Sequence, residues 1–192
     1  MGMPATERWT REEVLDLIAR NPLTTPRYEL VDGVLLVTPA PRRLHQFAVG
    51  VMFRLLADYL DTVPAVGEAL TSPADVMPEP GTTVGPDVFV MPAHEARQIL
   101  DKGPIQSLLL AVEVLSPGDR SGDRTRKRRL YQRTIPEYWI VDTDARRVEL
   151  WRPNATAPEL HAERLEWHPA GASAPFVLDV VAYFARVFGE RR

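Results

Sequence analysis

The 192-residue chain contains no cysteine. That excludes disulfides, cysteine nucleophiles and thiolate zinc sites. Histidine is scarce as well: the four are His45, His94, His161 and His168, and no two have the H-x-x-x-H spacing of a helical zinc site. The sequence carries no P-loop, no dinucleotide fingerprint, no G-x-S-x-G elbow and no internal repeat. No apolar run approaches the roughly 20 residues of a membrane helix, and no signal-peptide pattern opens the chain. A cytoplasmic protein without a membrane partner is expected; the match of Met1 to Thr6 to a myristoylation pattern is too short to change that. Lysine is nearly absent. Of 23 basic residues only Lys102 and Lys127 are lysines. Where arginine fills almost every other basic position, a retained ammonium suggests a task for a compact point charge whose pKa can shift.

What is present is ordinary globular material. A 45% hydrophobic and 26% charged composition over 192 residues suits one domain with a sizeable core. The net charge of −3 does not announce a nucleic-acid binder, but its distribution is uneven. Ser116 to Pro136 hold seven basic and two acidic residues, a local +5 that leaves −8 for the rest. A basic stretch on an acidic body suits phosphate contact at one place, and equally a surface helix whose arginines pair with acids elsewhere.

Three pieces between residues 84 and 142 concentrate the chemistry. Asp87 follows Pro86 and opens the apolar run Val88-Phe89-Val90-Met91. Glu113 lies inside Leu108 to Leu115, a short apolar stretch that reads as a strand buried on both faces. An ionised carboxylate there is costly unless a cation or donor meets it. Each residue alone has a plain reading, Asp87 as a turn residue and Glu113 as a strand-end acid paired with arginine. Two carboxylates on separate apolar strands fit a shared hard cation such as Mg²⁺ better. The third piece, Ser121 to Arg133, reads as a basic helix, on which Asp123, Lys127 and Tyr131 share one face by i, i+4, i+8 spacing.

Around these pieces the pattern predicts a mixed α/β chain. Thr10 and Glu13 resemble a capping box opening a helix over 10–20. Tyr28 to Thr38 reads as a hairpin turning at Asp32-Gly33, with Glu29 facing solvent or the cleft. Leu44 to Leu60 is the best long helix, its stripe including Phe47, Val51 and Leu55, with His45 in its first turn. Val63 to Glu68 and Thr71 to Met77 read as strand pieces, the second putting Asp75 beside Asp87. Ala93 to Lys102 reads as a helix closed by Gly103. Glu137 to Asp142 and Arg147 to Arg152 form a second hairpin with Tyr138, Trp139, Ile140, Val148 and Leu150 in the core. Glu159 to Trp167 reads as one strand, and residues 179–188 as a terminal helix with Val180, Val181, Phe184 and Phe188 on its apolar side.

The order of these pieces, PD, then Glu in an apolar strand, then a basic helix, resembles the PD-(D/E)XK restriction-endonuclease-like superfamily, and more narrowly the Uma family of endonucleases. The matching stretches are YELVDGVLLVTPAP (28–41) with His45, PADV (73–76), GPDVFVMP (85–92) and AVEVLSPGDRSGDRTRKRRLYQRTIPEYWIVD (111–142). The resemblance implies a single restriction-endonuclease-like domain over 1–192, with a central mixed sheet flanked by helices and a core of about 28–152. It implies a metal-dependent endonuclease acting on DNA, with Mg²⁺ or Mn²⁺ on Asp87, Glu113 and the backbone carbonyl of Val114. The superfamily's strand lysine falls on Leu115, and Lys127 is its substitute on the following helix. Glu29, turned into the cleft, and His45 join the catalytic group by the same resemblance, with Asp123, Tyr131 and Asp75 in support. Arg120, Arg124, Arg126 and Arg128 are the candidate phosphate contacts. A homodimer is implied by analogy with enzymes that cut both strands. An inactive nucleic-acid-binding or structural member of the fold, and a metal-dependent hydrolase of smaller phosphate esters, remain alternatives.

Overall fold

Thr10 caps the first helix as its sequence predicts: its hydroxyl accepts from the Glu13 N–H, while the Glu13 carboxylate takes the Thr10 N–H at 2.7 Å. The computed structural model describes residues 8–21, 23, 25–98, 103–115 and 121–190, and of residues 121–123 the backbone. Helix α1 (Arg11–Arg20) leads into the hairpin of β1 (Arg27–Val31) and β2 (Val34–Thr38), which turns at Asp32-Gly33 with both residues at positive φ. The long helix α2 (Arg43–Leu60) follows, then β3 (Gly67–Thr71), β4 (Val88–Pro92), the single turn α3 (Ala93–Ala96) and β5 (Leu110–Val114). The basic helix α4 (Ser121–Thr134) crosses to β6 (Glu137–Asp142), which pairs with β7 (Arg147–Trp151) and, through it, β8 (Glu159–His161). The chain closes with β9 (Arg164–Trp167), β10 (Phe176–Asp179) and α5 (Val180–Val187).

The central sheet has six strands in the order β3-β4-β5-β6-β7-β8. Every pairing is antiparallel except β5 with β6, the pair that α4 joins as a crossover. Period-two alternation assigns the faces. Val88, Val90, Val112, Trp139, Val141 and Leu150 point to one side and pack with α2, α5 and the β9–β10 hairpin. Trp139 is fully buried there against Trp167 and Phe176, a site where truncation to Ala costs about 3–5 kcal/mol. Phe89, Ala111, Tyr138, Ile140 and Trp151 point to the other side, under Leu130 and Tyr131 of α4 and Val31 and Leu36 of the first hairpin. Each strand of the middle is therefore covered on both faces, which is why β5 reads as an unbroken apolar run.

Several expectations are corrected. Of the expected α2 stripe Val51 is buried and Leu55 packs on the core, but Phe47 is 52% exposed, and Ala48, Met52, Leu56 and Leu60, at successive steps of four, make the most buried line. The first strand beyond α2 is Gly67–Thr71, and the segment Thr71 to Met77 does not continue it. There Val76 makes only isolated bridges to Val84 and Ile105, because Pro73 has no N–H for a ladder. The helix from Ala93 covers a single turn, and Ile99 to Lys102 lie outside the described residues. Glu159 to Trp167 is two strands in different sheets, broken by a bend at 162–163. In α5 Val181 is 60% exposed and Tyr183 takes the buried place.

Candidate active site

The register of the sheet brings the two carboxylates together. Val88 of β4 lies opposite Val112 of β5 in an antiparallel ladder. That ladder ends there, with Asp87 just before β4 and Glu113 just after Val112, and the Val114 N–H donates to Asp87 Oδ2, so both carboxylates come to the same end of the sheet. Both side chains line a cavity of about 600 Å³, with Arg27, Glu29, His45 and Lys127.

Asp87 is almost fully used. Its Oδ2 accepts the backbone N–H of Val114 at 2.9 Å and lies 3.1 Å from His45 Nε2, while its Oδ1 meets Arg27 Nη1 at 3.3 Å. Burial alone would raise its pKa, but the His45 bond and the Arg27 charge outweigh it and hold the carboxyl at about 2. The same contact raises the imidazole of His45 against the opposing effect of its burial. The His45 Nδ1 is buried and has no hydrogen-bond partner.

Glu113 is different. It touches Lys127 Nζ in a short ion pair and accepts from Tyr131 Oη at 3.3 Å. Burial, with Asp87 and Glu29 repelling a second and third negative charge, pushes its pKa up to about 7 despite Lys127. Lys127 also reaches both oxygens of Glu29, at 3.1 and 3.2 Å. Burial would lower the lysine, yet Glu113 and Glu29 raise it, so it stays an ammonium. Tyr131, buried and beside these acids, is pushed well above the usual phenol range and donates rather than ionises.

Glu29 is 1% exposed and anchors the cations. Its pKa is lowered because Lys127, Arg27 and the Gly85 N–H together outweigh burial. Gly85 donates to Glu29 Oε1 at 2.9 Å. A Cβ on Gly85 would stand 2.8 Å from Ser72 Oγ, so only glycine brings this N–H so close without displacing the serine.

Five predicted residues thus converge: Glu29, His45, Asp87, Glu113 and Lys127, with Tyr131 in support. Val114 joins them through its N–H on Asp87; the carbonyl role expected of it belongs to the proposal below. Asp75 does not join. It is exposed and outside the cavity lining, since the bridged segment around Val76 is not a strand beside β4. The side chain of Asp123, and Arg120 altogether, lie outside the described residues. Of the arginines expected on phosphate, Arg124 lines the cavity and pairs with the buried Glu149 at 2.7 Å. Arg126 and Arg128 do not line it, Arg128 lying instead over the Trp151 ring at 4.4 Å. Arg27 was missed. Its signal was the period-two spacing that puts it on the same strand face as Glu29.

The donor set fits a hard divalent cation. Among the described residues no three His, Asp or Glu side chains group as a complete metal cage. Mg²⁺ needs none, because it commonly takes one or two carboxylates and completes its shell with water and phosphate oxygens. Asp87 with Glu113 supplies that pair.

A six-stranded mixed sheet between helical layers, with an acid pair and a lysine at one end, defines a nuclease-like fold. A solved structure titled "putative nuclease belonging to DUF820" from Anabaena variabilis superposes with a TM-score of 0.72 at 18% identity, over 91% of this chain and 98% of that one. The family model Uma2, described as "Putative restriction endonuclease", matches residues 11–177, and the chain belongs to that family. Comparison with curated protein sequences finds no match. Among the described residues no helix is long and apolar enough to cross a membrane.

Proposed function

We propose that the protein is a metal-dependent endonuclease that hydrolyses phosphodiester bonds of DNA. The observation that carries this reading is the convergence of Asp87, Glu113 and Lys127 in one cavity, where the segment entering β4 meets the end of β5. Asp87 and Glu113, with the Val114 carbonyl, would hold Mg²⁺ or Mn²⁺. Such a cation neutralises charge on the scissile phosphate and acidifies water beside it.

The chain's own residues do the rest. Lys127, fixed on Glu29, places a positive charge beside Glu113, where it stabilises charge developing on the phosphoryl oxygens. Tyr131 fixes the rotamer of Glu113 by donating to it. His45 and the Val114 N–H hold Asp87 ionised and oriented. Arg124, at the cavity wall, meets a backbone phosphate, a contact that positions the polymer without reading its sequence. A homodimer cutting both strands belongs to the same reading.

The test is cleavage of plasmid, single-stranded DNA and RNA in Mg²⁺ and Mn²⁺ against an Asp87→Asn control. Metal-dependent nicking of DNA that Asp87→Asn abolishes is expected. Hydrolysis of small phosphate esters with all polymers intact, or binding without cleavage, contradicts the proposal.

A further inference from the structure

Arg27 lies in the cavity and helps to keep Asp87 and Glu29 ionised, but the proposed reaction gives it no contact with substrate. It extends from β1 between two acids, with Nη1 3.3 Å from Asp87 Oδ1 and Nε 3.7 Å from Glu29 Oε2. Both separations exceed the 2.7–2.9 Å typical of a charge-assisted hydrogen bond. The Nε is buried and makes no hydrogen bond, although a buried unsatisfied donor is uncommon and calls for a partner. The guanidinium is therefore well placed but poorly satisfied.

The charges around it explain why. Three carboxylates, Glu29, Asp87 and Glu113, face three basic side chains, Arg27, Lys127 and His45. Without metal the cluster neutralises itself. A divalent cation on Asp87 and Glu113 would add two positive charges beside Arg27, and their repulsion would push the guanidinium off Asp87. Glu29 does not move with it, being held by the Gly85 N–H and Lys127. Arg27 would then pivot on Glu29 with its Nη groups free at the cavity wall. A phosphodiester is the natural partner, because the planar guanidinium fork matches two phosphate oxygens.

We propose that Arg27 is a phosphate-binding residue of this site, resting on Asp87 until a divalent cation takes that carboxylate. The inference rests on the metal-dependent reading above. It assigns Arg27 two linked effects: it competes with the metal in the free protein, and it grips substrate once metal is bound. A purely structural arginine would do neither, since its loss would disorder Asp87 and weaken metal binding.

The experiment is calorimetric titration of Mn²⁺ into wild type and Arg27→Gln, paired with DNA cleavage at saturating Mn²⁺. Arg27→Gln is expected to bind Mn²⁺ more tightly, by at least about fivefold, the low end of a typical coupling. Its cleavage is expected to fall on the order of 10²-fold or more, as when one charge contact to a transition state is lost. Mn²⁺ affinity unchanged or weakened, or cleavage unchanged, overturns the inference. If Arg27→Gln does not fold, Arg27→Lys decides: it keeps the charge but not the fork, so near-wild-type Mn²⁺ affinity with impaired cleavage supports the proposal, and full cleavage overturns it. The failures are distinguishable. Wild type that neither binds Mn²⁺ nor cleaves removes the nuclease reading and this inference with it, whereas wild type that does both beside an unaltered Arg27→Gln removes the inference alone.

Discussion

Substituting Lys127 by Met probes both the stability of the site and its chemistry, and the two effects separate by pH. Lys127 is 8% exposed and ion-paired to Glu29 and Glu113. Methionine matches its length but leaves both acids without their ammonium. Removing one partner of a buried ion pair costs about 3–5 kcal/mol, which in a domain of this size lowers Tm by roughly 6–20 °C. The cost is smaller where Glu113 carries a proton. Its pKa, already pushed up to about 7, rises further without the lysine, so the metal-free variant should be less impaired at pH 5.5 than at pH 8. Saturating Mn²⁺ should recover part of the loss, because the cation replaces the missing charge beside Glu113. Cleavage should not recover with it: at saturating metal and a temperature well below Tm, the rate should remain down by on the order of 10²- to 10³-fold. The assays are thermal unfolding at both pH values, with EDTA and with Mn²⁺, followed by DNA cleavage. A folded, Mn²⁺-loaded Lys127→Met that cleaves at the wild-type rate refutes the catalytic role of the lysine and leaves the acid pair standing.

Metal-free stability should follow the two carboxyls. Glu113 has a raised pKa, so its contribution is present below the ordinary carboxylate range and is lost as pH rises through about 7. Asp87 has a lowered pKa, so its contribution is lost only as pH falls through about 2. Unfolding in EDTA should therefore show stability falling between pH 5 and 8, by at most about 1.4 kcal/mol per pH unit from this one group; Glu113→Gln should flatten that fall, and an unaltered slope contradicts the assignment. Gly85→Ala would set its new Cβ 2.8 Å from Ser72 Oγ, costing about 1–3 kcal/mol, and adding Ser72→Ala should return part of it by opening that space. Arg124→Gln should weaken DNA binding on every sequence and reduce the salt slope by about one, whereas Arg128→Gln, which removes a group lying over Trp151, should leave the slope unchanged.

Much of this was legible because the signals were local. Thr10 and Glu13 specified a capping box, Asp32-Gly33 a hairpin turn, and the apolar run around Glu113 a strand covered on both faces. The scarcity of lysine singled out Lys127, which lies at the centre of the cluster. What escaped depended on how elements meet. Helical periodicity gave the α2 stripe, but which residues along it face the sheet was set by packing, and Phe47 stayed outside while Ala48 lay fully buried. The split between β8 and β9 followed from which sheet each half could join. Arg27 looked like one arginine among many, and its place between Asp87 and Glu29 exists only once Leu30 bridges Thr83 and brings β1 beside the segment that enters β4. Asp75 erred in the opposite way: a strand over Thr71 to Met77 would have set it beside Asp87, but the segment around it forms isolated bridges and leaves it exposed.

In the proposed nuclease, Asp87 and Glu113 together hold the cation on which cleavage depends. The most direct measurement is Mn²⁺ titration calorimetry at pH 8 on wild type, Asp87→Asn and Glu113→Gln, with plasmid cleavage on the same three samples. One site on wild type, binding lost or strongly weakened in both variants and cleavage lost in step with it, is the expected result. Undiminished Mn²⁺ binding by both variants, or metal-dependent cleavage that survives either substitution, would contradict it.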